Sequence, residues 1–203
     1  MRLTKTIENA KVSVSRRVTK VKLKKDKTLD VTFEETVTII DIVDGKEEAK
    51  TVQADYTRTG KNIVHADMES ALEYLRPHLA ILCDQVEAQD KEYYELDSDI
   101  ESLDKYKVNS YTIGGSGISE GVTLTGTRYG KYGPQNLNSQ FTKYEGGENE
   151  EAYEHAFELR GMINHCNEEA LLYVEGKMAP DAQLDLFDQE EQERKEIEGQ
   201  EFE

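Results

Sequence analysis

From Leu29 to Ile39 the chain alternates apolar and polar positions. Leu29, Val31, Phe33, Val37 and Ile39 fall on one parity, and Asp30, Thr32, Glu34, Thr36 and Thr38 on the other. A period of two puts one set on each face of a half-buried strand, here predicted over 28–43. The stretch before it, 11–25, is also strand-like but changes phase. Val12 and Val14 share one parity, while Val21 and Leu23 share the opposite one. A strand that buries one face cannot slip by a single residue, so the switch near Arg17–Lys20 predicts a bulge or a sharp bend. Lys24-Lys25-Asp26-Lys27 is a polar turn, and Asp44-Gly45 supplies a second tight turn because glycine accepts positive φ. A third strand over 50–56, with Val52, Ala54 and Tyr56 on one face, completes an antiparallel meander.

The period then changes. Met68, Leu72, Leu75, Leu79 and Leu82 recur at three and four over 67–86, the spacing of an amphipathic helix, with Asp67 available as N-cap. Pro77 lies inside this pattern, lacks a backbone donor and crowds the preceding turn, so the helix is expected to kink or divide. The acidic stretch 84–104 has no sustained period and reads as a solvated connector. Strands return at 106–113, 121–129 and about 137–144, separated by Gly114-Gly115-Ser116-Gly117 and by a turn-rich loop, Gly130 to Asn136. A second amphipathic helix is predicted over 148–177. Its stripe is Tyr153, Ala156, Phe157, Ile163, Ala170, Leu171 and Val174, with Gly176 as C-cap. It packs on the sheet or serves dimerisation. From Met178 the charge rises and the periodicity fades, as in a disordered tail. The expected organisation is a β-rich domain over 1–147, a helix over 148–177 and an acidic tail over 178–203.

Charge sharpens this division. The net charge is −17 over 203 residues, but it is unevenly placed. Residues 1–30 hold ten Lys and Arg against three acids; 179–203 hold ten acids against Arg194 and Lys195. A basic front and an acidic end imply separate tasks. Two cysteines, Cys83 and Cys166, have no paired spacing, which points to a reducing cytoplasm. No apolar run approaches the roughly 18 residues of a membrane span, and no signal peptide precedes the charged start.

Most catalytic chemistry finds no support. Gly114–Gly121 lacks the lysine of a nucleotide-binding loop and lies between strands, and Ile118 stands where a serine nucleophile turn needs glycine. His65, His78, His155 and His165 are scattered, and no zinc-ligand spacing involves the cysteines. The reading is non-enzymatic, without metal or cofactor. A binding surface remains. Lys11, Arg16, Arg17, Lys20, Lys22 and Lys24 lie on one strand region; Lys107, Tyr111, Arg128, Tyr129, Lys131 and Tyr132 lie on the later strands. Cations neutralise phosphates and tyrosine rings stack on unpaired bases, so this mixture suits single-stranded nucleic acid.

Near the C-terminus, Gln183-Leu184-Asp185-Leu186-Phe187 resembles the peptide by which bacterial replication and repair proteins dock on the sliding clamp. The resemblance implies that Gln183 hydrogen-bonds at the groove mouth while Leu186 and Phe187 fill its apolar pocket. The alternative is that these apolar residues clip onto the protein's own core. Three strands, a helix and further strands is also the order of an oligonucleotide-binding (OB) barrel. Some phage single-stranded-DNA-binding proteins are similar, joining such a barrel to an acidic tail. The departures are Glu203 after Phe202, where the usual tail ends on an aromatic, and the extra helix at 148–177. The expected fold class is therefore α+β, an antiparallel meander or OB-like barrel with an inserted kinked helix. The expected function is a phage or prophage accessory of DNA replication, repair or recombination that binds single-stranded DNA and docks on the host clamp. The rival is a regulator that blocks the clamp or imitates DNA.

Overall fold

A computed structural model describes residues 3–7, 10–43, 46–86, 103–146 and 153–180. The predicted turn at Asp44-Gly45, most of the acidic connector and the whole Gln183–Phe187 motif lie outside the described residues. The fold is α+β. Strands β1 (Leu3–Ile7), β2 (Ala10–Leu23), β3 (Leu29–Val43) and β4 (Lys46–Thr59) are followed by helices α1 (Ala66–Glu73) and α2 (Arg76–Leu82). Then come β5 (Tyr106–Gly114), β6 (Gly121–Gly130), β7 (Gly133–Asn138), β8 (Thr142–Lys143) and helix α3 (Ala156–Val174).

Among the described residues one antiparallel sheet holds the eight strands. Its main path is β4-β3-β2-β5-β6-β7, with β1 beside β2 and β8 beside β6. The outer strands β4 and β7 do not pair with each other, so the sheet is open rather than closed into a barrel. The phase change in β2 is a bulge. Val18 pairs with Phe33 and Lys20 with Thr32, leaving Thr19 as the extra residue. The bulge lets Val18, Val21 and Leu23 all face the core, where each is buried.

Pro77 divides the predicted long helix as its chemistry requires. α1 ends at Glu73, and α2 begins at Arg76 with Pro77 in its first turn, where a missing backbone donor costs nothing. The N-cap of α1 is His65 rather than Asp67; its ring nitrogen accepts from the Asp67 backbone N–H. The predicted 130–136 loop is shorter than expected. Lys131 and Tyr132 alone make the hairpin turn, and β7 starts at Gly133. The strand expected over 137–144 is broken at Ser139–Phe141.

Among the described residues the three α-helices cover one face of the sheet. Met68, Leu72, Leu75 and Leu79 meet Val21, Val31, Tyr111, Val122 and Leu124 in one cluster that also takes in Leu159, Ile163 and Ala170 of α3. Gly126 permits close approach: a side chain there would run into Leu79 of α2 and the Lys107 carbonyl. α3 begins at Ala156, not 148, and its buried side adds Leu159, Cys166 and Glu169 to the expected stripe. Phe157 is a correction, being 84% exposed. Gly176 ends the helix at φ 111°, with its N–H and that of Lys177 donating to the Tyr173 and Leu172 carbonyls.

Candidate nucleic-acid interface

Among the described residues nothing covers the face of the sheet opposite the helices, where Lys20, Lys22, Lys107 and Thr112 are exposed. The register sets Lys20 between Thr32 and Thr112, and Lys22 between Asp30 and Ser110. On the next strand Ser110 and Thr112 stand opposite Thr125 and Thr123, and Lys107 opposite Thr127. The centre of this outer face is therefore a carpet of hydroxyls pierced by lysines. Lys20, Lys22, Lys107 and Lys131 are all exposed, and among the described residues none has an acid within ion-pairing distance. Charge balance agrees with placement. The described residues hold 21 Lys and Arg against 20 Asp and Glu, so the acidity of the chain lies in the segments outside them. A neutral body with free lysines on one face does not repel a polyanion.

The remaining candidates divide. Arg16 lies on the helix face, donating to Glu35 at 2.8 Å, with Glu175 at 3.8 Å and the Phe33 ring at 5.6 Å. Arg17 donates to Glu120 at 2.6 Å, to Glu34 at 3.3 Å and to the Gly115 carbonyl at 3.2 Å. The hydrogen bond to Glu120 raises its pKa further above its ordinary value. Both guanidiniums are occupied in holding the fold. Lys24 pairs with Asp30 at 3.2 Å and donates to the Gly60 carbonyl. Lys11 stands opposite Ile40 on the far half of β2.

Two assignments are corrected. Tyr111 is wholly buried, and its hydroxyl donates to Asn167 at 2.8 Å, so it cannot stack on a base. Burial pushes its phenol well above the usual pKa. Arg128 turns to the helix side, where it lies over the Tyr106 ring and donates to Gln85.

Tyr129, Lys131 and Tyr132 do come together, at the tip of the β6–β7 hairpin. Tyr132 is 96% exposed, with the Lys131 ammonium 5.6 Å from its ring centre. This tip projects at the same end of the sheet as the Lys24–Lys27 turn. Between them opens a cleft of about 300 Å³ whose walls include Lys107, Tyr129, Tyr106, Lys27 and Arg76. Glu69, Glu73 and Asp104 also line it, and they pair with Lys27 and Arg76. What remains for a ligand is Lys107 and Tyr129, continuous with the lysines of the outer face. The hydroxyl carpet escaped sequence reasoning, although threonines at 32, 57, 112, 123 and 125 on exposed parities were its signal.

Among the described residues no group of three or more His, Cys, Asp or Glu side chains could hold a metal ion, and no helix is long and apolar enough to cross a membrane. Comparison of the chain with family profiles, with characterised proteins and with solved structures finds no match.

Proposed function

We propose that this chain is a non-enzymatic, cytoplasmic accessory of DNA metabolism that binds single-stranded nucleic acid through the outer face of its sheet. The observation that carries this reading is the set of four exposed lysines without acid partners among the described residues, Lys20, Lys22, Lys107 and Lys131, together with two exposed rings, Tyr129 and Tyr132. Lysines on an open sheet track a phosphate backbone, threonine hydroxyls donate to its oxygens, and the hairpin rings stack on bases. The order of elements along the chain, with helices after the third long strand of the meander, resembles that of oligonucleotide-binding barrels and supports the reading, although the sheet is open. The Gln183–Phe187 peptide, in an acidic tail, supplies the second half of the proposal: docking on a bacterial sliding clamp, in a phage or prophage setting. The neutral body weighs against the rival in which the whole protein imitates DNA.

The test is titration of a fluorescent oligo-dT. Affinity should fall steeply with salt, because each phosphate neutralised releases counterions. Lys20→Glu with Lys22→Glu should weaken binding by about tenfold or more, and Tyr132→Ala should weaken it by about 1–3 kcal/mol per stacked base. Tyr111→Phe should change stability and leave affinity alone. Salt-insensitive binding, or none, would remove the proposal. A Phe187→Ala variant that keeps DNA affinity and loses affinity for purified clamp would support the docking half.

A further inference from the structure

Strand β4 is an outer strand of unusual length and exposure. It pairs with β3 over fourteen consecutive residues, Lys46–Thr59, with no bulge in the register. From Glu48 to Thr59 every residue but Ala54 is exposed, and Val52 is 61% exposed. Among the described residues nothing pairs with its outer edge. Long flat edges invite another strand, and proteins ordinarily blunt them with proline, bulges or short length. β4 has none of these devices.

Its charges do not serve as blunting either, because they complement their own reversed order. Two copies of β4 joined edge to edge antiparallel are related by a two-fold axis normal to the sheet, which sets residues of the same face opposite one another. Centring the axis on Lys50, Ala54 or Asp55 juxtaposes like charges: Lys50 with Lys50, Lys50 with Arg58, and Asp55 with Asp55; centring it on Thr51 or Val52 brings no opposite charges together among the described side chains. Centring it on Gln53 does bring opposite charges together. That register sets Glu48 opposite Arg58, whose Nη1 also donates to the Val174 carbonyl at 2.6 Å and leaves the rest of the guanidinium to face the partner, Lys50 opposite Tyr56, Thr51 opposite Asp55 and Val52 opposite Ala54, each twice by symmetry. It is the long register in which the charges attract, a cation meets an aromatic ring and small apolar residues meet each other.

The half-buried residues on the same face point the same way. On the helix face, Val52 stands beside Val37, which stands beside Val14; Ile39 stands beside Val12. These form an apolar band running out along the sheet beyond the helices, with Ile39 and Val52 exposed. A second copy would lay its β4 along the edge of that band.

We propose that the protein is a homodimer in which two β4 strands pair antiparallel about Gln53, making one continuous sheet across both copies. The outer, lysine-bearing faces then lie on the same side of that sheet. The dimer does not depend on nucleic-acid binding.

Sedimentation equilibrium of the full chain, without nucleic acid, tests this. The expected result is a dimer. Glu48→Lys, at an exposed position without other partners among the described residues, should raise the dimer dissociation constant by about tenfold or more by facing Arg58. Adding Arg58→Glu to that variant should restore association, which a mere folding defect would not allow. Circular dichroism checks that each variant remains folded. Register is read by mild oxidation in a Cys83→Ser background: Gln53→Cys should give a disulfide-linked dimer, and Ala49→Cys should not. A monomeric wild type, a dimer indifferent to Glu48→Lys, or equal cross-linking at positions 49 and 53 would overturn the proposal.

Discussion

His78 is the residue whose chemistry most departs from its ordinary state. It is wholly buried in α2, with Nδ1 and the Tyr153 hydroxyl 2.9 Å apart. Burial, and to a smaller degree the nearby His155, pulls its pKa from 6.5 down to about 3. The folded protein therefore keeps this imidazole neutral at pH values where the unfolded chain protonates it. The unfolded state binds more protons between about pH 6.5 and 3, so stability is full above the unfolded pKa and is lost as pH falls through that window. At pH 5 the loss from this one group is about 2 kcal/mol. Urea titrations at pH 7 and pH 5 should show it, and His78→Gln should flatten the difference while lowering stability at both pH values. Tyr111 and Arg128 teach a related lesson. Both have the chemistry of a nucleic-acid ligand, but each is committed to an internal partner, Asn167 for one and Gln85 for the other. Residue type identifies chemistry; only burial shows to whom it is offered.

At the scale of elements, the bulge in β2 decides which residues reach solvent. Thr19 is the one extra residue between Val18 and Lys20, and its hydroxyl donates to the Thr32 carbonyl. Deleting it would move Val21 and Leu23 to the outer face and bring Lys20 and Lys22 toward the core, because strand side chains alternate with period two. The expected outcome is loss of the cooperative thermal transition, measured by circular dichroism. Thr19→Ala should be tolerated within about 1 kcal/mol, since it keeps the residue count and loses one part-buried hydrogen bond. This contrast separates the bulge's geometry from its side chain. The same element was legible beforehand, as the phase shift between Val14 and Val21. The hairpin of β6 and β7 was not, because Gly130, Gly133 and Pro134 read as a long loop although Gly133 and Pro134 pair back with Gly130 and Tyr129. Turn-favouring residues mark where the chain reverses and leave the ladder length to cross-strand partners.

For the whole molecule, the separation of charge is the organising feature. The described body is near neutral while the chain as a whole is at −17. Residues 181–203 carry ten of the acids and two of the cations. Ending the chain at Pro180 should therefore raise affinity for oligo-dT at low salt. The gain should vanish by about 0.5 M salt, where the screening length falls to a few ångström. A truncation that leaves low-salt affinity unchanged would show that the tail and the outer face do not share an electrostatic environment.

The sequence alone determined the periods: three antiparallel strands, the third shorter than the Lys46–Thr59 strand that forms, a helix kinked or divided at Pro77, a bulge or bend near Arg17–Lys20, a long final helix closed by Gly176, and an acid-rich end. These follow from contacts between near neighbours in the chain, where spacing and turn chemistry suffice. Tertiary structure alone decided that the sheet stays open, that the described helices gather on one face, that Arg16, Arg17, Tyr111 and Arg128 serve the fold, and that Lys20, Lys22 and Lys107 share the opposite, exposed face. Those outcomes depend on pairings between residues some ninety positions apart, as of Lys20 with Thr112, and no local pattern encodes which distant strand a given strand will meet.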